Sequence, residues 1–270
     1  MFEYQFFINA LIGVLLISAA AAMIGTYIVT RRLVAISGGV THACFGGLGL
    51  GCFLGINPMV TAGIFAIASA LGVEWLSDRY KVREDSAIAV VWAVGMAVGV
   101  VFVFLTPGFV PELNSFLFGN ILTISVADLW IFGAYLALLS LFFAWKYRQI
   151  VACAFDADFA RVSHLPLRFV NTAMTVAVAL CIVLTIRLVG IMLLMSLISL
   201  PQLTAEIFAR RFSGMMGLSV VVSVVCCLAG LFLATVIDVP CSALIVMVMA
   251  VVFAVARIFR SLCWKPRLTE

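Results

Sequence analysis

Nine stretches of roughly 20 mostly apolar residues follow one another along the chain. Fifteen of its 16 lysines and arginines fall in every second connection between them. A helix of about 20 apolar residues crosses the hydrocarbon core of a bilayer, and basic residues stay on the cytoplasmic side of such helices. The two patterns together predict an all-α integral membrane protein, a polytopic bundle of about nine transmembrane helices. The stretches are 6–29, 33–56, 59–76, 86–106, 127–145, 169–187, 189–206, 215–237 and 241–259. Only Asn57-Pro58 separates the second from the third, and the sixth runs into the seventh through Arg187-Leu188-Val189-Gly190. Either pair leaves room for a short, broken or re-entrant segment, so the count lies between eight and ten. With 66% hydrophobic and 10% charged residues, the chain has too few charges to cover a water-facing surface. One membrane domain over residues 1–270 is expected.

The basic residues set the orientation. The N-terminus lies outside and the C-terminus in the cytoplasm, since only this threading puts Arg31, Arg32, Arg79, Lys81, Arg83, Lys146, Arg148, Arg161, Arg168, Arg210, Arg211 and the C-terminal group inside, leaving Arg187 alone outside. The first stretch has no preceding basic segment and is read as a retained span rather than a cleaved signal. The longest outside connection is about 107–126 and the longest inside one about 146–168. A net charge of +4, spread in short clusters between spans, is no footprint for nucleic acid. The eight cysteines form no CxxC pair and mostly lie in apolar runs, as packing residues do.

Within the second span, Ser37 to Gly51 holds an unusual density of glycine: Gly38, Gly39, Gly46, Gly47, Gly49 and Gly51. Gly38, Gly39, His42, Gly46 and Gly49 are spaced by three or four and share a helix face. A stripe without side chains admits another backbone or a ligand. His42 is the ionisable side chain expected nearest mid-depth, where such groups face a cavity or the bundle interior. Neutral imidazole is also a common transition-metal ligand. Thr41 and Cys44 flank it as weaker donors, with packing as their plainer role.

The inside connection carries the second signal. Residues 155–166 read as a short amphipathic helix, with Asp156 as N-cap, Asp158 and Arg161 spaced to pair, Phe155, Phe159 and Val162 on one side, and Pro166 as terminator. Exposed aromatics on a cytoplasmic helix invite a soluble partner. His164 reads as a solvated surface residue.

In order along nearly the whole chain, these segments resemble the manganese/zinc/iron-type permeases of bacterial ABC importers. Thr41-His42-Ala43 is similar to a glycine-flanked Ser-His-Ala element of that family. Asp156 and Ala160 match its cytoplasmic loop, where His164 stands near an expected glycine. Leu117-Phe118-Gly119-Asn120, Val189 to Leu194, Leu200-Pro201 and Thr204-Ala205 match further elements. Two positions depart: Gly38 stands where an aspartate is common, and Gly46 where proline is common. The first removes a hard oxygen ligand and leaves a nitrogen-biased path, which favours zinc over manganese. The resemblance implies the fold of type II ABC importers such as cobalamin permeases, and a homodimer with a path along the shared interface. It further implies an ABC ATPase subunit docked at Phe155, Asp156, Phe159, Ala160 and Arg161, and a solute-binding protein delivering metal from outside, in a bacterial inner membrane. Zinc is the first expected cargo, manganese or iron next, and no permanently bound cofactor is implied.

The chain has no Gly-Lys pair and hence no phosphate-binding loop, so ATP hydrolysis is expected of a separate polypeptide. Two other functions compete. A proton- or sodium-coupled carrier needs carboxylates within the membrane, and Glu74, Glu206 and Asp238 all fall at span ends. An intramembrane enzyme needs paired catalytic groups, and His42 has no acid or second histidine near it in sequence. A siderophore or vitamin permease of related fold is the nearest alternative within the importer class.

Overall fold

The computed structural model describes residues 5–107, 119, 121–237 and 239–263. They form eight helices long and apolar enough to cross a membrane: α1 (Gln5–Thr30), α2 (Val34–Leu54), α3 (Pro58–Tyr80), α4 (Glu84–Leu105), α5 (Val126–Phe155), α7 (Leu167–Phe208), α8 (Phe212–Ile237) and α9 (Cys241–Cys263), with the short α6 (Ala157–Val162) between α5 and α7. Among the described residues there is no strand. Much of Leu117 to Asn120, the N-terminal four residues, Asp238 and residues beyond 263 lie outside the described residues.

The connections follow from local chemistry. Gly55 ends α2 in the left-handed region (φ 67°), and Asn57 caps α3 by accepting from the Met59 amide at 3.0 Å, with Pro58 in the first turn. The two spans are thus separated by a tight turn and not fused. Ser125 and Asp128 form a reciprocal capping box at the start of α5.

At 42 residues, α7 would be about 63 Å long if straight, twice the hydrocarbon thickness. Instead it breaks at Gly190 (φ 80°, ψ 173°), a conformation open only to glycine. Its first residue, Leu167, and its near-final Glu206 both line cavities that Arg31 also lines. Both ends therefore lie at one end of the bundle, and the chain doubles back at Gly190. The arms, 167–189 and 191–208, are about 34 and 27 Å long, which makes nine membrane-crossing arms from eight helices. Gly119, also left-handed (φ 56°), abuts Val189 and Gly190 so closely that a Cβ there would strike their backbones. Arg187, just before the break, pairs with Asp128 at 2.8 Å.

The second arm contains Pro201, which lacks an N–H and orphans the carbonyl of Leu197. The neighbouring Gln202 repairs this: its Nε2 donates to Leu197 O at 3.0 Å and to Ala21 O at 2.9 Å. Backbone groups freed inside a membrane need such a substitute partner. Here it also ties α7 to α1, which is buried along most of its length at the centre of the bundle.

Without a hydrophobic drive between helices in lipid, close packing must hold the bundle. The closest approach is between α2 and α4. Gly46 faces the Gly95 carbonyl, Gly49 faces the backbone of Gly99, and Gly39 faces Ile88. Even a Cβ at Gly46 would lie 2.8 Å from Gly95 O. The space offered by the glycine stripe of α2 is therefore filled largely by α4 of the same chain, not by a second copy. Gly49→Val should force these helices apart and cost about 1–3 kcal/mol of stability, read as a lower unfolding midpoint and lower folded yield in detergent. An unchanged midpoint would refute the packing role.

Two boundaries differ from those expected. The fifth span does not end at residue 145; α5 continues to Phe155 through a kink at Lys146 (φ −111°, ψ 15°), so residues 146–155 of the inside connection are helical. The sixth and seventh spans belong to the single broken helix α7.

Candidate functional site

On α2 Gly39, Gly46, Gly47, Gly49 and Gly51 turn toward α3 and α4 and Gly38 toward Met195 of α7, while His42, near the middle of the helix, remains half-buried. Its ring stacks on Trp92 of α4, with centroids 4.6 Å apart and planes 2° from parallel. Trp92 Nε1 in turn donates to Met96 Sδ, one turn along, at 3.2 Å. Among the described residues neither nitrogen of His42 has a hydrogen-bond partner, so both are open to a ligand. The imidazole is held by a flat aromatic contact that fixes the ring plane without occupying its lone pair.

The seam containing His42 continues onto the second arm of α7. Met192 is exposed, and Met195, Ser196 and Ser199 are half-buried. Ser196 and Ser199 donate to the carbonyls of Met192 and Met195, satisfying their hydroxyls within their own helix. Of these, Met195 reaches the turn of α2 that precedes His42, its terminal methyl lying beside Gly38.

The other two residues expected beside His42 lie elsewhere. Thr41 is fully buried and donates to the Ser37 carbonyl. Cys44 is buried. Both line an apolar cavity of about 10 Å³ with Leu48, Ala62, Val183 and Ile191, barely the size of one water. The structure does not bring them to the His42 ring. Among the described residues no three His, Cys, Asp or Glu side chains converge as a metal cluster.

The basic end of the bundle carries the second surface. Asp156 caps α6 by accepting from the Phe159 amide at 2.9 Å. Ala160 is fully buried and anchors the helix, whereas Phe155, Phe159 and Val162 are 63%, 59% and 79% exposed. The Leu165 amide bonds back to Ala160 O at 3.0 Å around His164, which is left-handed at φ 53°. That is a Schellman stop, whose left-handed position is usually glycine. Arg161 points into a cavity of about 330 Å³ that Tyr27, Arg31, Glu74, Asp78 and Asn171 also line. Arg31 binds Asn171 Oδ1 at 2.9 Å and the Tyr27 hydroxyl at 3.1 Å, and lies 3.8 Å from Glu84.

This polar knot beneath α6, joining α1, α4 and α7, was not legible from spacing; Arg31 reads in sequence only as a topological charge. Nor was α4 recognisable as the partner of the glycine stripe, although Gly95-Met96-Ala97-Val98-Gly99 is a small-xxx-small signal for close helix approach. Glu74 and Glu206 line cavities at the basic end, and Asp238 lies outside the described residues.

Comparison with known proteins follows the same lines. The sequence model described as the ABC 3 transport family matches residues 3–260. A "Probable metal transport system membrane protein" of Chlamydia pneumoniae is 34% identical over 93% of this chain and 86% of its own length. The "Manganese transport system membrane protein MntC" of Halalkalibacterium halodurans is 27% identical over 96% of this chain and 89% of its own. The bundle superposes on a chain of the structure "PsaBC from Streptococcus pneumoniae in complex with Fab" with a TM-score of 0.82, at 24% identity, covering 94% of this chain and 91% of that one.

Proposed function

Because the chain belongs to the ABC 3 transport family, we propose that it is the membrane-spanning permease subunit of an ATP-driven importer of divalent metal ions, with zinc ahead of manganese or iron. The observation that carries this reading is the His42–Trp92 seam: an imidazole with open nitrogens on a half-exposed face near mid-membrane. A half-exposed imidazole facing lipid is costly, so a second copy of the chain covers this face and the ion passes between the two. His42 lends the ion one neutral ligand, and water and backbone carbonyls supply the others. The names of the relatives, metal transport and manganese transport system membrane proteins, support a metal cargo.

The basic end faces the cytoplasm, as the positive-inside rule requires, which puts the N-terminus outside. There the end of α5, through Phe155, and α6, through Phe159, meet the ATPase; Asp156 caps α6, Ala160 seats it and Arg161 reaches toward the knot below. A solute-binding protein delivers the ion at the opposite end. The carrier reading is disfavoured because Glu74 and Glu206 line cavities of the basic end, away from mid-depth where ion coupling needs them.

The test is transport in proteoliposomes holding the permease, its ATPase and its binding protein. Zinc should accumulate only with ATP and a functional ATPase, and collapse of the proton and sodium gradients should change nothing. The permease purified alone should hydrolyse no ATP. Gradient-driven accumulation without ATPase would overturn the assignment in favour of a carrier.

A further inference from the structure

One turn before His42 on α2 stands Gly38, on the same helix face, and it offers no side chain to a passing ion. The space it leaves is not empty. The terminal methyl of Met195, from the second arm of α7, lies 2.9 Å from where a Cβ of residue 38 would be, and Trp92 Cζ3 lies 4.0 Å from the same point. Trp92 is the ring on which His42 stacks. The tip of Met195, the edge of Trp92 and the His42 imidazole therefore gather around a single turn of α2. Met195 is half-buried, open to the seam, and its backbone is fixed by the Ser199 hydroxyl on its carbonyl at 2.7 Å.

We infer that Met195 is a second cargo-contacting donor beside His42 and sets the path's preference for softer divalent cations, zinc above manganese. This rests on the reading of His42 as part of the ion path. A thioether is neutral, so like imidazole it replaces a water on the ion without adding a charge that the membrane would penalise. Its three rotatable bonds let the sulfur reach an ion and withdraw, which suits a site that must release what it holds. Sulfur and imidazole ligands select zinc and softer ions, whereas manganese takes carboxylate, carbonyl and water oxygens. No carboxylate is available on this turn, since position 38 is glycine and position 42 histidine. The pair thus passes manganese only through its water ligands but engages zinc directly.

The test uses the complete importer, permease with ATPase and binding protein, and measures zinc and manganese uptake separately. Met195→Leu keeps volume and packing but removes sulfur, a class of change that cores tolerate. Zinc uptake should fall about tenfold, in the range found when a group supporting a metal site is removed, while manganese uptake stays near parental. Met195→Cys, which keeps a sulfur, should retain the zinc preference. If Met195→Leu leaves the zinc-to-manganese ratio unchanged while His42→Ala loses uptake, Met195 only packs and the inference fails alone. If His42→Ala also imports both ions at the parental rate, the path does not run past this turn, and the underlying reading fails with it.

Discussion

Replacing His42 by alanine should cut zinc uptake by at least about tenfold while leaving the permease folded and bound to its ATPase. The two halves of this expectation have different causes. Uptake falls because the imidazole is the residue with open nitrogens near mid-membrane, and without it the ion must shed water with nothing in exchange. The fold survives because His42 is half-exposed and contributes one stacking contact to Trp92, worth about 0.5–1.5 kcal/mol. The α2–α4 association rests on glycine contacts that the substitution does not touch. His42→Gln should behave like alanine, since an amide retains hydrogen bonding but is a poor zinc ligand. Radioactive zinc uptake at matched membrane levels, with ATPase copurification as the folding control, reads both halves. Parental uptake in both variants would make His42 a packing residue.

Phe159→Asp should abolish ATPase association, and with it all ATP-dependent uptake. Phe159 is exposed on α6, whose other side is fixed by the buried Ala160, and Phe155 is exposed at the end of α5 with its ring edge-on to Phe212 at 6.5 Å, so the two offer a largely uncovered apolar surface. Truncating a central aromatic contact at an interface commonly costs 2 kcal/mol or more, and a buried charge adds to that. The same substitution should leave the permease's own stability unaltered within about 0.5 kcal/mol, as for other exposed positions. Intact copurification with the ATPase and normal uptake would remove α6 from the interface.

The spans were legible because charge and hydrophobicity change together at their ends: Arg31 and Arg32 bound α1, and Arg210 and Arg211 bound α7. The extension of α5 was not, because Lys146 and Arg148 look like a loop although the helix runs on as far as Phe155, with the Lys146 ammonium lying over the Trp145 ring at 4.2 Å. Spacing put His42 on the same face as the glycines but could not say which face of the bundle that was. It therefore could not separate His42 from Thr41 and Cys44, which point about 100° and 200° away around the helix. Met195 could not be found at all: it lies far from His42 in sequence and reaches the site only because α7 reverses at Gly190.

That reversal also constrains how the protein is made. As α7 emerges from the ribosome it is a run of 42 residues with Arg168 and Glu206 near its two ends, Arg187 as the one charge between them, and no hydrophilic loop where the direction changes. A translocation channel reading apolar segments singly has no boundary at which to release the first arm before admitting the second. The two arms are expected to enter the bilayer together as a hairpin folded at Gly190. The orphaned Leu197 carbonyl accepts from Gln202 of the same arm, whose amide also donates to the Ala21 carbonyl of α1, and the guanidinium of Arg187 pairs with Asp128 of α5. Both helices that receive these groups, α1 and α5, precede α7 in the chain, so their acceptors are already made when the hairpin arrives.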